Sequence, residues 1–317
     1  MKNNLEDKNM KIKKIKRVGT GILSAALFCG LAWSAENTMP LTMEGGTARA
    51  MSMGSAVVGA PQESASLFWN PAGLGLMKNG LELGLHHNSG LGESIHETVV
   101  LGMPMGSLGG FAVSLNYVDN GAFEGRDTLG VQTADYTAGD LGVSLGWGKE
   151  LFSGISAGVA LKYNLQTLAA QSYSAYAMDL GLLWNPISGL NLGLTYSNLG
   201  NEIAGSFLSS GWRAGASYNI NKDVLLAVSG GLTGGTDRSI QAGAETYIFS
   251  CLALRAGYVI NATGLEGLTG LTAGLGVKID KSLTFDYGYI PYGELGESHR
   301  LSLTYKFEPL ENIVSVK

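Results

Sequence analysis

Over residues 81–307 the chain alternates apolar and polar residues almost without a break, and this period of two constrains the fold more than any other feature. In "LNLGLTYSN", Leu190, Leu192, Leu194 and Tyr196 share one face, opposite Asn191, Gly193, Thr195 and Ser197. In "LTFDYGY", Leu283, Phe285, Tyr287 and Tyr289 oppose Thr284, Asp286 and Gly288. In "RLSLTYKF", Leu301, Leu303, Tyr305 and Phe307 oppose Arg300, Ser302, Thr304 and Lys306. Successive side chains of a strand point to opposite faces, so each run reads as a strand with one apolar face. Fourteen such segments are expected, at about 80–87, 96–103, 108–118, 136–148, 154–166, 172–184, 188–198, 209–219, 223–232, 238–248, 251–260, 268–279, 282–290 and 298–307.

The connections alternate as well. Tight turns are expected at 104–106, 150–153, 185–188, 219–221, 249–250 and 280–281, and longer loops at 88–95, 119–135, 167–171, 199–208, 233–237, 261–267 and 291–297. An even strand count with short turns on one side and longer loops on the other predicts an all-β fold, a fourteen-stranded antiparallel transmembrane β-barrel, over 80–307. Charged residues are 15% of the chain, against about 25% in soluble proteins. No run beyond the N-terminus reaches the roughly 18 apolar residues of a membrane helix. Such a chain meets lipid, its outer-membrane partner, with every second residue. Aromatics give an independent sign of this. Trp147, Trp184, Tyr218, Phe249 and Phe307 fall near the tight-turn ends, and Tyr117, Tyr163, Tyr173, Tyr196, Trp212, Tyr258 and Tyr289 near the long-loop ends. Two girdles suit two membrane interfaces.

Residues 1–34 read as a signal peptide. Lys11, Lys13, Lys14, Lys16 and Arg17 form its basic region, residues 22–33 its apolar core, and Ala32 and Ser34 the small residues of a cleavage site. The expected location is therefore the bacterial outer membrane. Residues 1–34 hold seven of the 21 Lys and Arg and two of the 26 Asp and Glu, so 14 basic and 24 acidic residues remain, a formal charge of −10. That balance argues against a nucleic-acid partner. Only Cys251 is left after cleavage, which excludes an intramolecular disulfide.

Residues 35–79 are Gly-rich and irregular, with helical turns expected at 48–53 and 61–67. Within them "LFWNPAGLG" looks like a helix start: Asn70 can cap, Pro71 suits the first helical position, and Gly73 and Gly75 can end the helix. Fourteen strands enclose a lumen that side chains alone do not fill. The segment 35–79 is therefore expected to fold inward as a hatch. Trp69, Asn70 and Pro71 would then turn the chain into the wall at the periplasmic rim. "WNP" recurs at Trp184, Asn185 and Pro186, an expected periplasmic turn. Residues 308–317 would form a periplasmic C-terminal tail.

No catalytic constellation emerges. "GVSLG" at 142–146 fits a serine-hydrolase elbow but lies within an alternating strand, where the strand–turn–helix that the motif needs is absent. No Ser–His–acid set or phosphate loop accompanies it, so neither enzyme activity nor a cofactor is expected. By strand parity Glu82, Asp140, Lys162, Asp179, Arg213, Glu245, Arg255, Lys278, Asp286, Arg300 and Lys306 point inward. Buried charges of both signs should pair with one another or with the hatch. A salt-bridged filling is favoured over a polar path that shapes what passes, because mixed signs make a poor selectivity ring. His86, His87, His96 and His299 should converge at the seam between the last and first strands, where they could hold a divalent metal or act as a pH-sensitive latch.

"GGTARAMSMGSAVVGAPQESASLFWNPAGLG", residues 45–75, resembles the N-terminal segment of PorV/PorQ-like outer-membrane proteins, relatives of the FadL long-chain fatty acid transporters. The shared features are a Gly-Ala-Arg-rich start, a Met-Gly middle and an Asn-Pro-Ala turn. The resemblance implies a hatch, a fourteen-stranded barrel and no catalysis. For FadL-type members it implies passive passage of small hydrophobic molecules; for PorV-type members, docking of secretion-system proteins. The longest loop, 119–135, is polar and modest, unlike the long greasy loops of FadL-type transporters.

Overall fold

The computed structural model describes residues 37–38, 46–78, 80–90, 94–233, 237–261 and 270–307. The expected signal peptide and C-terminal tail lie outside the described residues. The wall strands are β1 (Glu82–Ser89), β2 (Ile95–Pro104), β3 (Gly110–Phe123), β4 (Tyr136–Phe152), β5 (Ile155–Leu168), β6 (Gln171–Ile187) and β7 (Leu190–Gly200). They continue as β8 (Gly211–Asn219), β9 (Val224–Thr233), β10 (Asp237–Ile248), β11 (Leu252–Asn261), β12 (Leu271–Lys278), β13 (Leu283–Pro291) and β14 (Glu297–Lys306). Each pairs antiparallel with its chain neighbours, and β14 pairs with β1, closing a fourteen-stranded barrel. Closure leaves no open row of backbone donors and acceptors, the condition for β-structure in hydrocarbon.

Burial alternates along the strands as the sequence period demands. On the outer face Leu85, Leu115, Leu145, Leu182, Val228, Leu254 and Leu303 are exposed, forming an apolar band. Trp184, Tyr218 and Phe307 are exposed toward the short-turn end, and Tyr117, Tyr163, Trp212 and Tyr258 toward the long-loop end. Tyr173 is an exception. It lies half-buried on the inner face, packed with Ala175, Ala177, Ile203 and Leu208; Tyr176 takes the outer position, its ring 5.0 Å from that of Tyr163. The expected loop 167–171 contracts to two residues, because β5 runs to Leu168 and β6 begins at Gln171. Ala169 makes this turn with φ at +53°.

Residues 46–78 lie inside the wall. They form α1 (Ala48–Ser52), capped by Thr47 Oγ1 accepting the Ala50 N–H, then a 3-10 turn (Glu63–Ala65), α2 (Ser66–Trp69) and a second 3-10 turn (Pro71–Leu76). Hydrogen bonds tie this segment to strands all round the barrel. Ala48 N–H donates to Ser302 Oγ of β14 (2.9 Å), and Gly54 N–H to Thr272 Oγ1 of β12 (3.0 Å). Ser217 Oγ of β8 donates to the Gly59 carbonyl (2.8 Å), and Ser64 N–H to Glu82 Oε1 of β1 (3.1 Å). Met53, Val57, Leu67, Phe68, Trp69 and Leu74 form the apolar core, completed from the wall by Val100, Ala160 and Leu225.

Wall glycines make this close approach possible. Gly110, Gly148, Gly158 and Gly181 face one another across β3, β4, β5 and β6, a row of positions without side chains near the short-turn end. The backbone of 70–75 rests on this row: a Cβ on Gly148, Gly158 or Gly181 would collide with Pro71 or its neighbours. Gly243 and Gly257, paired across β10 and β11, seat Met53 and Gly54 in the same way.

Candidate functional site: the inner segment and the lumen wall

Asn70 joins the inner segment to itself and to the wall. Its Oδ1 accepts the Ala72 N–H (3.2 Å), capping the 3-10 turn whose first residue is Pro71. Its Nδ2 donates to the carbonyls of Val58 (2.9 Å) and Leu182 (3.1 Å). Trp69 is buried, with the Arg213 guanidinium 5.9 Å from its ring centroid. The second Trp-Asn-Pro run behaves differently from the expectation. Trp184, Asn185 and Pro186 continue β6, and the turn falls at Ser188 and Gly189. Proline is accommodated because the β6–β7 ladder is interrupted between Trp184 and Ile187, where no amide hydrogen is required.

The inward charges form separate clusters around the circumference. On one side the Arg49 guanidinium, from α1, donates from Nε and Nη2 to the two carboxylate oxygens of Glu245, each at 2.8 Å. Arg255 Nε donates to Glu245 Oε2 (2.6 Å) and its Nη1 to Asp286 Oδ1 (2.7 Å). Two acids and two guanidiniums thus alternate, three of them on β10, β11 and β13 and one on the inner segment. Burial lowers the Arg49 pKa, but Glu245 beside it outweighs burial and holds the group above its ordinary value.

Across the barrel Lys162 Nζ of β5 pairs with Asp179 Oδ2 of β6 (2.6 Å) and donates to Asn198 Oδ1 of β7 (3.1 Å). Asn198 stands at φ +57°, a left-handed conformation that asparagine tolerates, and its N–H donates to Asp179 Oδ1 (2.8 Å). The β6–β7 register slips at this point, between Met178 and Leu180. A third cluster lies at the short-turn end of the seam, where Lys306 pairs with Glu63 and lies 3.8 Å from Glu82. Burial pushes the Glu63 carboxyl up, but hydrogen bonding to Glu82 and Lys306 outweighs it and leaves the group below its usual range. Asp140 is buried on β4 opposite Gln166. Lys278 reaches the rim, its Nζ 4.0 Å from the Tyr247 ring centroid. Arg300 is buried on β14.

The four histidines do not form one site. His86 and His96 are on the inner face, while His87 and His299 are on the outer face, because neighbouring strand residues point oppositely. His86 Nδ1 meets Ser302 Oγ (2.8 Å), His87 Nδ1 meets Glu97 Oε1 (2.7 Å), and His299 Nδ1 meets the Tyr287 hydroxyl (2.8 Å). Among the described residues no group of three or more His, Cys, Asp or Glu is placed to hold a metal ion. The elbow-like "GVSLG" lies wholly inside β4.

Three residues central to these clusters were not singled out by sequence reasoning: Arg49, Glu63 and Asn198. A signal for the first existed, since Arg49 is the sole basic residue between positions 35 and 77. Any inner segment meeting mixed wall charges had to use it.

No known protein family or curated protein matches the sequence. Solved structures do match the fold. The Ralstonia pickettii toluene transporter TbuX aligns over 85% of this chain and 100% of its own, with TM-score 0.61 and 13% identity. The Pseudomonas putida toluene transporter TodX aligns over 84% and 98%, with TM-score 0.63 and 12% identity. A Pseudomonas aeruginosa FadL homologue aligns over 88% and 100%, with TM-score 0.52 and 14% identity. The fold is that of the FadL-type barrels. At these identities the likeness is one of fold.

Proposed function

We propose that this chain is an outer-membrane barrel through which small hydrophobic molecules pass passively, with residues 46–78 as its hatch. The observation that carries the reading is the combination of an apolar outer band with a lumen occupied by a segment of the chain itself. Proteins of the same fold include toluene transporters, which favours passage over docking in secretion. Mixed charges locked in pairs leave no ring of one sign to select ions, so the passenger is uncharged over most of its surface. Export by a leader at 1–34, the Trp69–Asn70–Pro71 turn as the exit of the hatch and a tail at 308–317 complete the reading. No chemical step is part of it.

The test is toluene entry into cells whose outer membrane otherwise resists it. Cells expressing the full chain should take up labelled toluene several-fold faster than cells carrying an empty vector, with the protein in the outer-membrane fraction. Equal uptake, with the barrel folded in that membrane, would overturn the assignment.

A further inference from the structure

At the short-turn end of the seam two carboxyls meet around one amine. Glu82, the first residue of β1, faces Lys306 of β14 on one side and Gly102 of β2 on the other. Its Oε1 accepts from Ser64, both from the N–H (3.1 Å) and from the hydroxyl, on the 3-10 turn Glu63–Ala65. Its Oε2 lies 3.8 Å from Lys306 Nζ. The Glu63 carboxyl pairs with Lys306 and is hydrogen-bonded to the Glu82 carboxyl.

A hydrogen bond between two carboxyls needs a proton on one of them, because ionised carboxylates only accept. Charge balance calls for the same proton. Among the described residues the cations acting on the pair are Lys306 and Arg49, and Arg49 is bound to Glu245. Lys306 therefore balances one carboxylate, and like charges this close do not both stay ionised. Lys306 sits against Glu63, so the proton belongs to the buried Glu82. Gly102 adds no charge from β2, and Ser64 supplies only neutral donors.

The same contact holds the backbone out of its preferred form. Glu63 stands at φ +54°, a left-handed conformation uncommon for a residue with a side chain. Such a conformation persists only where its surroundings impose it. The turn also covers the wall. A Cβ on Gly102 would lie 2.6 Å from Ser64 Cβ and 2.8 Å from Met77 Cε.

We propose that Glu63 and Glu82 form a proton-dependent latch, which holds the turn against the seam while they share one proton and releases it when that proton passes to water. Release frees Glu63 from its left-handed conformation and uncovers the lumen at the short-turn end. The inference rests on reading residues 46–78 as the hatch and adds the condition under which it loosens. The folded pair keeps a proton that unfolded glutamates lose at about pH 4.3, so the latch weakens as pH rises.

Conductance of the protein in planar bilayers tests it, compared at about pH 6 and about pH 9. The wild type should conduct at least about threefold more at the higher pH, and reversibly. Glu82→Gln is the deciding variant. Its amide donates to Glu63 and accepts from Ser64 as the protonated carboxyl does, with no proton to lose. It should conduct as little as the wild type does at the lower pH, and stay there at the higher. Where it does not assemble, Glu63→Gln removes the like charge from the other side and should lose the response too. No rise in the wild type would overturn the latch. So would high conductance of Glu82→Gln at both pH values, or a rise as large as that of the wild type, which would assign the titration to Lys306 or another group. Toluene uptake at neutral pH separates the two readings. Uptake by the wild type without a conductance response preserves the passage and removes the latch, whereas absence of uptake counts against the passage itself.

Discussion

Arg49 and Glu245 are joined by two parallel charge-assisted hydrogen bonds of 2.8 Å, linking the first helix of the inner segment to β10 of the wall. Glu245 also accepts from Arg255, so it is the one acid that binds both guanidiniums. Glu245→Gln would leave two cations around a neutral amide, and breaking a buried pair in this way costs about 3–5 kcal/mol. We expect a lower thermal midpoint in detergent and a higher ion conductance in planar bilayers. Arg49→Gln should loosen the segment with a smaller loss of stability, because Glu245 keeps Arg255. Unchanged conductance and midpoint for Glu245→Gln would show that charge does not hold the segment in place.

The glycine row makes a steric prediction. A Cβ on Gly158 would lie 2.5 Å from the Ala72 nitrogen, whereas one on the outward Gly230 of β9 would meet nothing nearer than 3.4 Å. Gly158→Ala should therefore destabilise the folded barrel by about 1–3 kcal/mol through overpacking. Gly230→Ala should change it by less than about 0.5 kcal/mol. Denaturant unfolding followed by tryptophan fluorescence measures both. Equal tolerance would mean that residues 70–75 do not press on the wall.

The wall was legible in the sequence because the strand period is a local property. The parity that puts Asp179 inside also puts Tyr173 inside, so the misplacement of Tyr173 in a girdle was avoidable. The same holds for His86 and His87, adjacent in one strand and thus necessarily on opposite faces. What filled the lumen was less legible. Thr195 faces inward as its parity requires, yet it is 1% exposed, because packing inside the barrel is set by tertiary contacts of no fixed sequence spacing. Arg49 and Glu245 are 196 residues apart in the chain, and no local pattern encodes that distance. The abundance of glycine was visible; its arrangement in facing pairs needed the register.

Thr195 is consequently a poor site for testing which face meets lipid, and a better comparison uses β9 and β10. Val228 is exposed on the outer face near mid-strand, and Gln241 is half-buried on the inner face. Val228→Arg should cost about 2–4 kcal/mol, as a charge on the lipid side near the midplane does. Gln241→Arg should cost less, since its side chain enters the polar lumen. Folding into lipid vesicles, read by the heat-dependent shift in gel mobility, compares the two. Equal folding yields would contradict the assignment of faces.

The seam gives the last prediction. Leu85 of β1 faces Leu303 of β14, and both point outward, away from the inner segment. Facing residues of an antiparallel pair have Cα atoms about 4.5–5.5 Å apart, within the roughly 7 Å that a disulfide tolerates. Leu85→Cys with Leu303→Cys should therefore cross-link on mild oxidation, in a Cys251→Ser background because Cys251 is an exposed free thiol. Leu83 with Leu301 is the informative control. Leu83 faces Tyr305 and Leu301 faces His87, so the pair is offset by four positions, about 13 Å along the strand, and should not bridge. Cross-linking of the control and not of the facing pair would mean that the seam is shifted in register. No cross-link in either would mean that β14 and β1 do not meet, and an unclosed edge in hydrocarbon would leave backbone groups unsatisfied at a cost of several kcal/mol each. The disulfide also bears on the hatch. If the cross-linked barrel gains conductance on Glu245→Gln as the uncrosslinked one does, the opening comes from the inner segment rather than from parting of the wall.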